Sequence, residues 1–300
     1  MVNQLLRLIN DVYAMAKRFG TILIPVDFSV NTDIAISKAL GLTEKGNCSI
    51  HLFHVQRILL PNFLQQLQYY ITGSSQYDVN ACMDRTSENL SQLKSFIEEV
   101  RKDIRVFTWV SFGEPVEEAI SNKAKRLRAD LIVLGKHSHH STLPFLNTVL
   151  PGRLAATSGV PVLTVKPGSL YTEIKTVVIP LGSHFPGSKL EVLEALDINA
   201  SLKIRLVVFP DDKKDSSFSK LSLLSTFQTL KSKSANPVNY EVLRGSNRAK
   251  ALLRYCTQVG ADVLIVNPGS ETRVGGWANS HISDLLPANS KTQVLAVNPN

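Results

Sequence analysis

The sequence contains few cysteines and no long apolar run. Its three cysteines, Cys48, Cys82 and Cys256, lie far apart, so neither a zinc site nor a disulfide framework is indicated. No stretch approaches the roughly 18 apolar residues that a membrane-spanning helix needs. The N-terminal segment lacks the pattern of a signal peptide, because Arg7 and Asp11 interrupt its apolar residues. We therefore expect a cytoplasmic protein without a membrane partner.

The sequence also lacks the short motifs of well-known enzyme classes. It contains no GxSxG nucleophile motif, no phosphate-binding loop of the GxxxxGK[ST] type and no HExxH zinc motif. Acidic pairs such as Glu117-Glu118 are adjacent in the sequence, and adjacent helical residues diverge by about 100°, so they do not form an acid–base pair. We expect a protein that is not an enzyme and has no catalytic residues, with weak ATP hydrolysis left open.

Positive charge is in excess, but it is spread along the chain. The formal net charge is +8, with 18 basic and 14 acidic residues up to Gly168 and 15 and 11 after it. This even distribution gives no basic tail or basic domain, so we expect no nucleic-acid partner, whereas a small anionic ligand remains a candidate. The densest cluster, KAKRLR at 123–128, is interpreted as a solvated helix face, with a phosphate-binding patch as the alternative.

What the sequence does contain is one layout that occurs twice. Three phrases recur in the same order, TILIPVDFS at 21–29 with TVVIPLGS at 176–183, ADLIVLGKHS at 129–138 with ADVLIVNPGS at 261–270, and PVLTVKP at 161–167 with QVLAVNP at 293–299. Repeats of this size indicate a duplicated domain rather than a solenoid. We predict one domain at 1–168, with an N-terminal helix, and a second, more degenerate one at 169–300.

Each half alternates short apolar strands with amphipathic helices. This alternation is typical of an α/β fold with a parallel sheet, and right-handed crossovers then place helices on both faces. The first half carries an additional apolar segment at about 56–80. Such an insertion is either a lid over a pocket or an interface patch, and we favour the interface.

Taken together, the three phrases resemble the universal stress protein family, and the resemblance extends along each half. The chain is thus similar to a tandem form with two such domains. The resemblance implies two five-stranded parallel sheets of order 3-2-1-4-5, with ligands beyond the carboxyl ends of the strands. Single-domain members commonly pair through their last strands. The chain is therefore expected to pair 162–165 with 294–297 internally, as a pseudo-dimer, and to form a homodimer through 56–80.

The resemblance also implies a nucleotide site, since many family members bind ATP through a glycine loop and an Asp after the first strand. Glycine amides and a helix N-terminus suit phosphate oxygens. In the first half, Asp27 and Gly135 match this pattern, whereas Ser138 replaces the second glycine and Thr148-Val149 replaces the final Gly-Ser. The nucleotide-binding candidates are Pro25, Asp27, Ser29, Val55, Gly135, Lys136, His137, Ser138, Thr148 and Val149. Of these, Lys136 and His137 are the expected phosphate donors.

The second half departs further from the family pattern. Gly182 stands at the Asp position, Asn267 and Ser270 replace the first two glycines, and Ser280-His281 replaces the final Gly-Ser. We therefore expect ATP or AMP as candidate ligands of a partial pocket in the first half, no pocket in the second, and no required cofactor.

Histidines cluster in the first half. His54, Asp27 and the histidines at 137, 139 and 140 are residue types that suit a transition metal. The spacing of the histidines at 137, 139 and 140 follows no metal-site rule, so we predict that they form a surface cluster and that no metal site is present.

Three hypotheses for function follow from these observations. The favoured one is a non-catalytic regulatory protein of the stress response with a partial nucleotide pocket. The second is an enzyme that binds ATP, or hydrolyses it slowly, with its first half. The third is a scaffold that binds other proteins through segment 56–80.

Overall fold

A computed structural model describes most of the chain. The described residues are 19–43, 46, 48–56, 79–136, 149–170, 172–182, 187–197, 201–209, 216–233, 236–245, 247–268 and 282–298. Three nucleotide candidates, His137, Ser138 and Thr148, lie outside these residues, and so does most of the insertion predicted at 56–80.

Strands and helices alternate through both halves. The strands are β1 (Thr21–Val26), β2 (Ser49–Gln56), β3 (Arg105–Phe112), β4 (Leu131–Gly135), β5 (Val162–Val165), β6 (Thr176–Leu181), β7 (Lys203–Val208), β8 (Val238–Val242), β9 (Val263–Val266) and β10 (Gln293–Ala296). The helices are α1 (Val30–Leu42), α2 (Val79–Val100), α3 (Val116–Leu127), α4 (Pro151–Ser158), α5 (Gly187–Leu196), α6 (Ser216–Lys233), α7 (Arg248–Val259) and α8 (Ile282–Leu285). A short 3₁₀ turn, Pro167–Ser169, leads from β5 toward the second half.

The strands form one ten-stranded sheet of order β3-β2-β1-β4-β5-β10-β9-β6-β7-β8. Each half therefore has the predicted order 3-2-1-4-5, and its strand pairs are parallel. The halves join where β5 and β10 pair antiparallel, with Leu163 opposite Leu295. The predicted α/β fold and the pairing of the last strands are confirmed. The two predicted sheets are one sheet, because this pairing continues the hydrogen-bonded ladder across the junction. The boundary at 168 and 169 stays a prediction.

The core differs between the two faces of the sheet. On one face, here called the shared-core face, a single apolar cluster runs through both halves and includes Ile24, Leu163, Ile179 and Leu295, all 0% exposed. Residues of α1, α2, α5 and α6 cover it. The opposite face carries one cluster in each half, under α3 and α4 in the first and under α7 and α8 in the second. Helices therefore lie on both faces, as predicted.

One hydrogen-bond arrangement occurs in both halves. Asp130 Oδ2 accepts from the N–H groups of Gly20 and Thr21, at 3.0 and 2.9 Å. Asp262 Oδ2 accepts from the first residue of β6 and the residue before it, at 2.9 and 3.0 Å. The Asp of the repeated Ala-Asp phrase thus fixes the amino ends of the central strands. The repeated Asp is therefore explained by structure, because it lies at the amino end of the strands, away from the candidate site.

The shared core predicts that the two halves unfold together. Leu295→Ala removes a fully buried side chain beside the junction, so the free energy of unfolding should fall by about 2–5 kcal/mol. With Trp277→Phe in the background, Trp109 fluorescence reports on the first half alone. In urea, this signal and the far-ultraviolet circular dichroism should shift together to a lower midpoint.

The control for this experiment is Leu224→Ala, because the Leu224 side chain is 54% exposed and should change the midpoint little. A Trp109 transition that Leu295→Ala leaves in place would contradict a core shared between the halves.

Candidate functional site

The turn from β1 into α1 fixes Asp27. Its Oδ1 accepts hydrogen bonds from Ser29 N at 3.1 Å, Ser29 Oγ at 2.6 Å and Thr32 Oγ1 at 2.9 Å. Ser29 Oγ in turn accepts from Asn31 N at 3.2 Å and caps the N-terminus of α1. The carboxylate is therefore held at one oxygen, and the Ser29 hydroxyl is already used within the turn.

The other carboxylate oxygen is unused. Asp27 Oδ2 is buried and has no hydrogen-bond partner among the described residues. A buried carboxylate oxygen without a partner carries a desolvation cost. Such an atom is a natural acceptor for a ligand hydroxyl or for a cation held by ligand phosphates.

Phe28, between Asp27 and Ser29, has a left-handed backbone with φ of +57°. For a bulky residue this conformation is strained, and such strain collects at functional sites. Its ring centroid lies 4.8 Å from that of His54 at the end of β2, and His54 Nδ1 donates to the Val26 carbonyl at 2.8 Å. The sequence analysis missed Phe28, because no pattern in PVDFS signals a positive φ.

Gly135, at the end of β4, has a packing reason to be glycine. A Cβ at this position would lie 2.1 Å from the carbonyl oxygen of Asn31 and 2.6 Å from its carbonyl carbon. The first turn of α1 thus packs directly on the end of β4, which brings Gly135 close to the turn that holds Asp27. The Asn31 side chain is 1% exposed, and its amide nitrogen and oxygen have no hydrogen-bond partner among the described residues.

Lys136 brings a buried positive charge to the same edge. Its Nζ donates to the carbonyl of Val149 at 3.1 Å, and the side chains of Lys136 and Val149 are 3% and 1% exposed. Gly135 pairs with Val165, so the next residues along the two strands, Lys136 and Lys166, are neighbours. Lys166 is 0% exposed. Sequence analysis did not single it out, although it lies within the repeated phrase PVLTVKP.

The remaining candidates on the first half lie in strands. Pro25 is buried in β1 opposite Phe53. Val55 is 2% exposed and belongs to the core cluster under α3 and α4. The described candidates therefore share the carboxyl edge of β1, β2 and β4.

The described part of the chain offers little for other site chemistries. It contains no group of three His, Cys, Asp or Glu side chains that could hold a metal ion, and His137, His139 and His140 lie outside it. Burial raises the pKa of the Cys48 thiol to about 11 and that of Cys256 to about 12, so neither is a reactive thiolate. No helix among the described residues is long and apolar enough to cross a membrane.

At the corresponding edge, the second half has no carboxylate at the position of Asp27 and instead has a buried lysine. Gly182 replaces the carboxylate, and the space around a Cβ added there is empty to 4 Å. Lys189 of α5 is 5% exposed, and its Nζ donates to the carbonyl of Pro180 in β6 at 2.9 Å. Burial lowers the pKa of Lys189 to about 8.

A cavity of about 360 Å³ lies elsewhere, between the two halves. It is lined by the end of α1, by residues 170 and 172–175, by the end of α5 and by residues 201 and 202. Lys38 Nζ, on its wall, donates to the carbonyl of Thr172 at 2.5 Å. None of the nucleotide candidates is among the described residues that line this cavity.

Comparisons with known proteins identify related folds. Residues 18–166 match the model of the universal stress protein family. No curated protein matches the chain. A universal stress protein structure from Archaeoglobus fulgidus is 14% identical, with a TM-score of 0.65 over 94% of this chain and 99% of that one. A structure of this family from Burkholderia pseudomallei is 19% identical, with a TM-score of 0.35 over 49% of this chain and 96% of that one. One from Lactobacillus plantarum is 18% identical, with a TM-score of 0.37 over 50% of this chain and 99% of that one. The Archaeoglobus likeness shows that the fold is shared.

The packing of α1 on β4 predicts opposite effects for two glycine substitutions. Gly135→Ala should lower the free energy of unfolding by about 1–3 kcal/mol, because the new methyl group overlaps the Asn31 backbone. Gly41 lies in α1, and nothing is within 4 Å of a Cβ added there. Gly41→Ala should therefore leave the free energy of unfolding unchanged or raise it by up to about 1 kcal/mol. Urea denaturation measures both, and equal effects would contradict the close contact.

Burial of Lys189 predicts how stability varies in alkaline solution. Between pH 8 and 10.5 the unfolded chain binds more protons at this lysine than the folded chain does. The cost of burying the ammonium is fully present below pH 8 and is relieved as pH rises. The free energy of unfolding of the wild type, minus that of Lys189→Met, should therefore rise through this window, by up to about 1.4 kcal/mol per pH unit.

The control for this pH series is Lys203→Met, which removes an exposed positive charge from the neighbouring strand β7. A difference between wild type and Lys189→Met that stays flat across the window would contradict a buried ammonium at this position.

Proposed function

The chain belongs to the universal stress protein family, and we propose that it is a non-catalytic regulator of the stress response whose first half alone binds an adenine nucleotide. The observation that carries this proposal is the contrast between the turns after β1 and β6. The first turn presents the unpartnered oxygen of Asp27, whereas Lys189 places an ammonium on the Pro180 carbonyl near the second turn.

The proposed pocket contacts the nucleotide at its ribose and at its phosphate. Asp27 Oδ2 accepts a hydrogen bond from a ribose hydroxyl, a bond stronger than one between neutral groups because the acceptor is charged. Lys136 and Lys166, buried at the ends of β4 and β5, supply the positive potential for phosphate. Ser138 replaces the second glycine, and Thr148-Val149 replaces the final Gly-Ser, of the loop that would otherwise cradle a long phosphate chain. This favours AMP over ATP as the ligand.

A regulatory role also suits the chemistry around Asp27. Its Oδ1 is already held by Ser29 and Thr32, and the proton of the Ser29 hydroxyl is directed at that carboxylate. His54 Nδ1 is directed at a backbone carbonyl. None of these groups is arranged to activate a water molecule, so we propose binding without turnover.

Isothermal titration of the whole chain with AMP, ADP and ATP, in the presence of Mg²⁺, tests this proposal. We expect one site per chain, tighter for AMP than for ATP, and a raised melting temperature at saturating nucleotide, since a ligand bound only by the folded state stabilises it. Asp27→Asn should weaken binding at least tenfold, because the amide puts a donor where the ribose hydroxyl needs an acceptor.

The matched control is Gly182→Ala, which changes the corresponding position of the second half where space is free, and it should leave the affinity unchanged. Absence of binding for all three nucleotides, or two sites per chain, would overturn the proposal. ATP turnover by the wild type that Asp27→Asn abolishes would favour the enzyme hypothesis instead.

A further inference from the structure

Among the described residues, the outer strand β3 has one edge that no strand covers. Its eight residues pair with β2 in unbroken register, from Arg105 to Phe112. The N–H of Arg105 donates to the carbonyl of Cys48, just before β2, and that of Gly113 donates to the carbonyl of Gln56 at the end of β2, so the odd-numbered residues direct their backbone groups toward β2. The N–H and C=O groups of Val106, Thr108 and Val110 therefore point away from the sheet. The strand has no proline or bulge, the usual protections of an edge, and no described strand pairs with it.

Two aromatic side chains stand beside this edge, on the face opposite the shared core. Phe107 and Trp109 are 40% and 38% exposed. Behind them lies His51, 7% exposed, whose ring stacks on Phe107 with centroids 4.9 Å apart. Trp109 Nε1 donates to His51 Nδ1 at 3.1 Å. Burial, with a smaller effect of Lys123, lowers the pKa of His51 to about 4, so the acceptor persists at neutral pH and the rings are held in place.

Positive charge borders the same aromatics. Lys123 Nζ of α3 lies 3.1 Å from the ring centroid of Trp109, a cation–π contact. Arg126 follows one turn later on the same helix side, and burial, with a smaller effect of Arg126, lowers the pKa of Lys123. Among the described residues neither side chain has a carboxylate partner. We call Phe107, Trp109, Lys123, Arg126 and the β3 edge the β3 platform.

The second half shows that the scaffold does not require this platform. Strand register and the matching hydrogen bonds at the end of α3 and α7 identify the equivalent positions. The equivalents of His51, Phe107, Trp109 and Lys123 are Arg205, Asn239, Glu241 and Tyr255. There burial raises the pKa of Tyr255, with smaller effects of Arg205 and Glu241, so both charged side chains lie near the phenol. The second copy thus holds side chains of both charges where the first copy exposes aromatic and cationic ones.

We propose that the β3 platform binds an extended acidic polypeptide segment, which adds to the sheet as a further strand beside β3. The outward backbone groups favour a polypeptide, because only another backbone can match their spacing. Lys123 and Arg126, which have no carboxylate partner among the described residues, favour acidic side chains, and a net charge of +8 disfavours a second copy of this chain. Alternate residues of the segment contact Phe107 and Trp109, and its carboxylates contact the two cations.

The test begins with a display library of random twelve-residue linear peptides, selected on the full chain. We expect sequences that alternate apolar and acidic residues. The selected peptide is then synthesised, and its affinity is measured by fluorescence anisotropy.

Two substitutions of Thr108 test strand addition. The Thr108 side chain is exposed and its N–H points outward, so Thr108→Pro removes one edge donor while leaving the β2–β3 bonds intact, as prolines at sheet edges do. Thr108→Pro should lower the affinity for the selected peptide at least tenfold. Thr108→Val keeps the N–H and should stay within twofold of the wild type.

A double substitution, Lys123→Glu with Arg126→Glu, tests the charge. This variant should bind the acidic peptide with an affinity at least tenfold lower. When the library is selected on the variant, it should yield basic peptides. Circular dichroism and the melting temperature verify that each variant folds.

Three results would overturn the proposal. The first is a library without enriched peptides, and the second is equal binding to Thr108→Pro and Thr108→Val. The third is a different occupant, seen either as a dimer in light scattering that Thr108→Pro alone abolishes or as oligonucleotide binding that requires Trp109.

Discussion

The antiparallel pairing of β5 and β10 is the constraint on which the rest of the structure depends. It joins two five-stranded sheets into one, and it lets one apolar core run across the junction. It also covers two strand edges, so that β3 and β8 are the outer strands of the described sheet. Because the pairing is antiparallel, the carboxyl ends of the two sets of strands point in opposite directions. The candidate nucleotide edge and its counterpart therefore lie at opposite ends of the molecule.

On this common scaffold the two copies differ at their carboxyl ends. The structural aspartates, Asp130 and Asp262, make the same backbone bonds in both, whereas the candidate nucleotide positions have diverged. Asp27 has a carboxylate oxygen without a partner among the described residues, whereas in the second copy the Lys189 ammonium donates to the Pro180 carbonyl. We propose that only the first copy binds a ligand, and the two copies differ in the same way between the β3 platform and its polar equivalent around Glu241.

Sequence analysis predicted the fold well, because the repeat, the strand lengths and the family resemblance all pointed to one architecture. It placed Asp27 and Gly135 at the carboxyl edge of the sheet, where the structure has them. It did not predict that Gly135 contacts the Asn31 backbone, because the approach of α1 to β4 depends on tertiary packing. The burial of Lys166 and Lys189 depends on packing in the same way. Trp109 was recognisable as a strand residue, but its exposure depends on β3 being outermost.

Amide hydrogen exchange at the junction tests the central claim most directly. Mass spectrometry of peptides that span 162–165 and 293–296 should show protection as strong as that of β1 in the middle of the first half, because both strands lie inside one sheet. Peptides from the outer strand β3 should exchange faster. Exchange of β5 and β10 as fast as that of β3 would contradict a continuous sheet, and with it the shared core and the single orientation of the two halves.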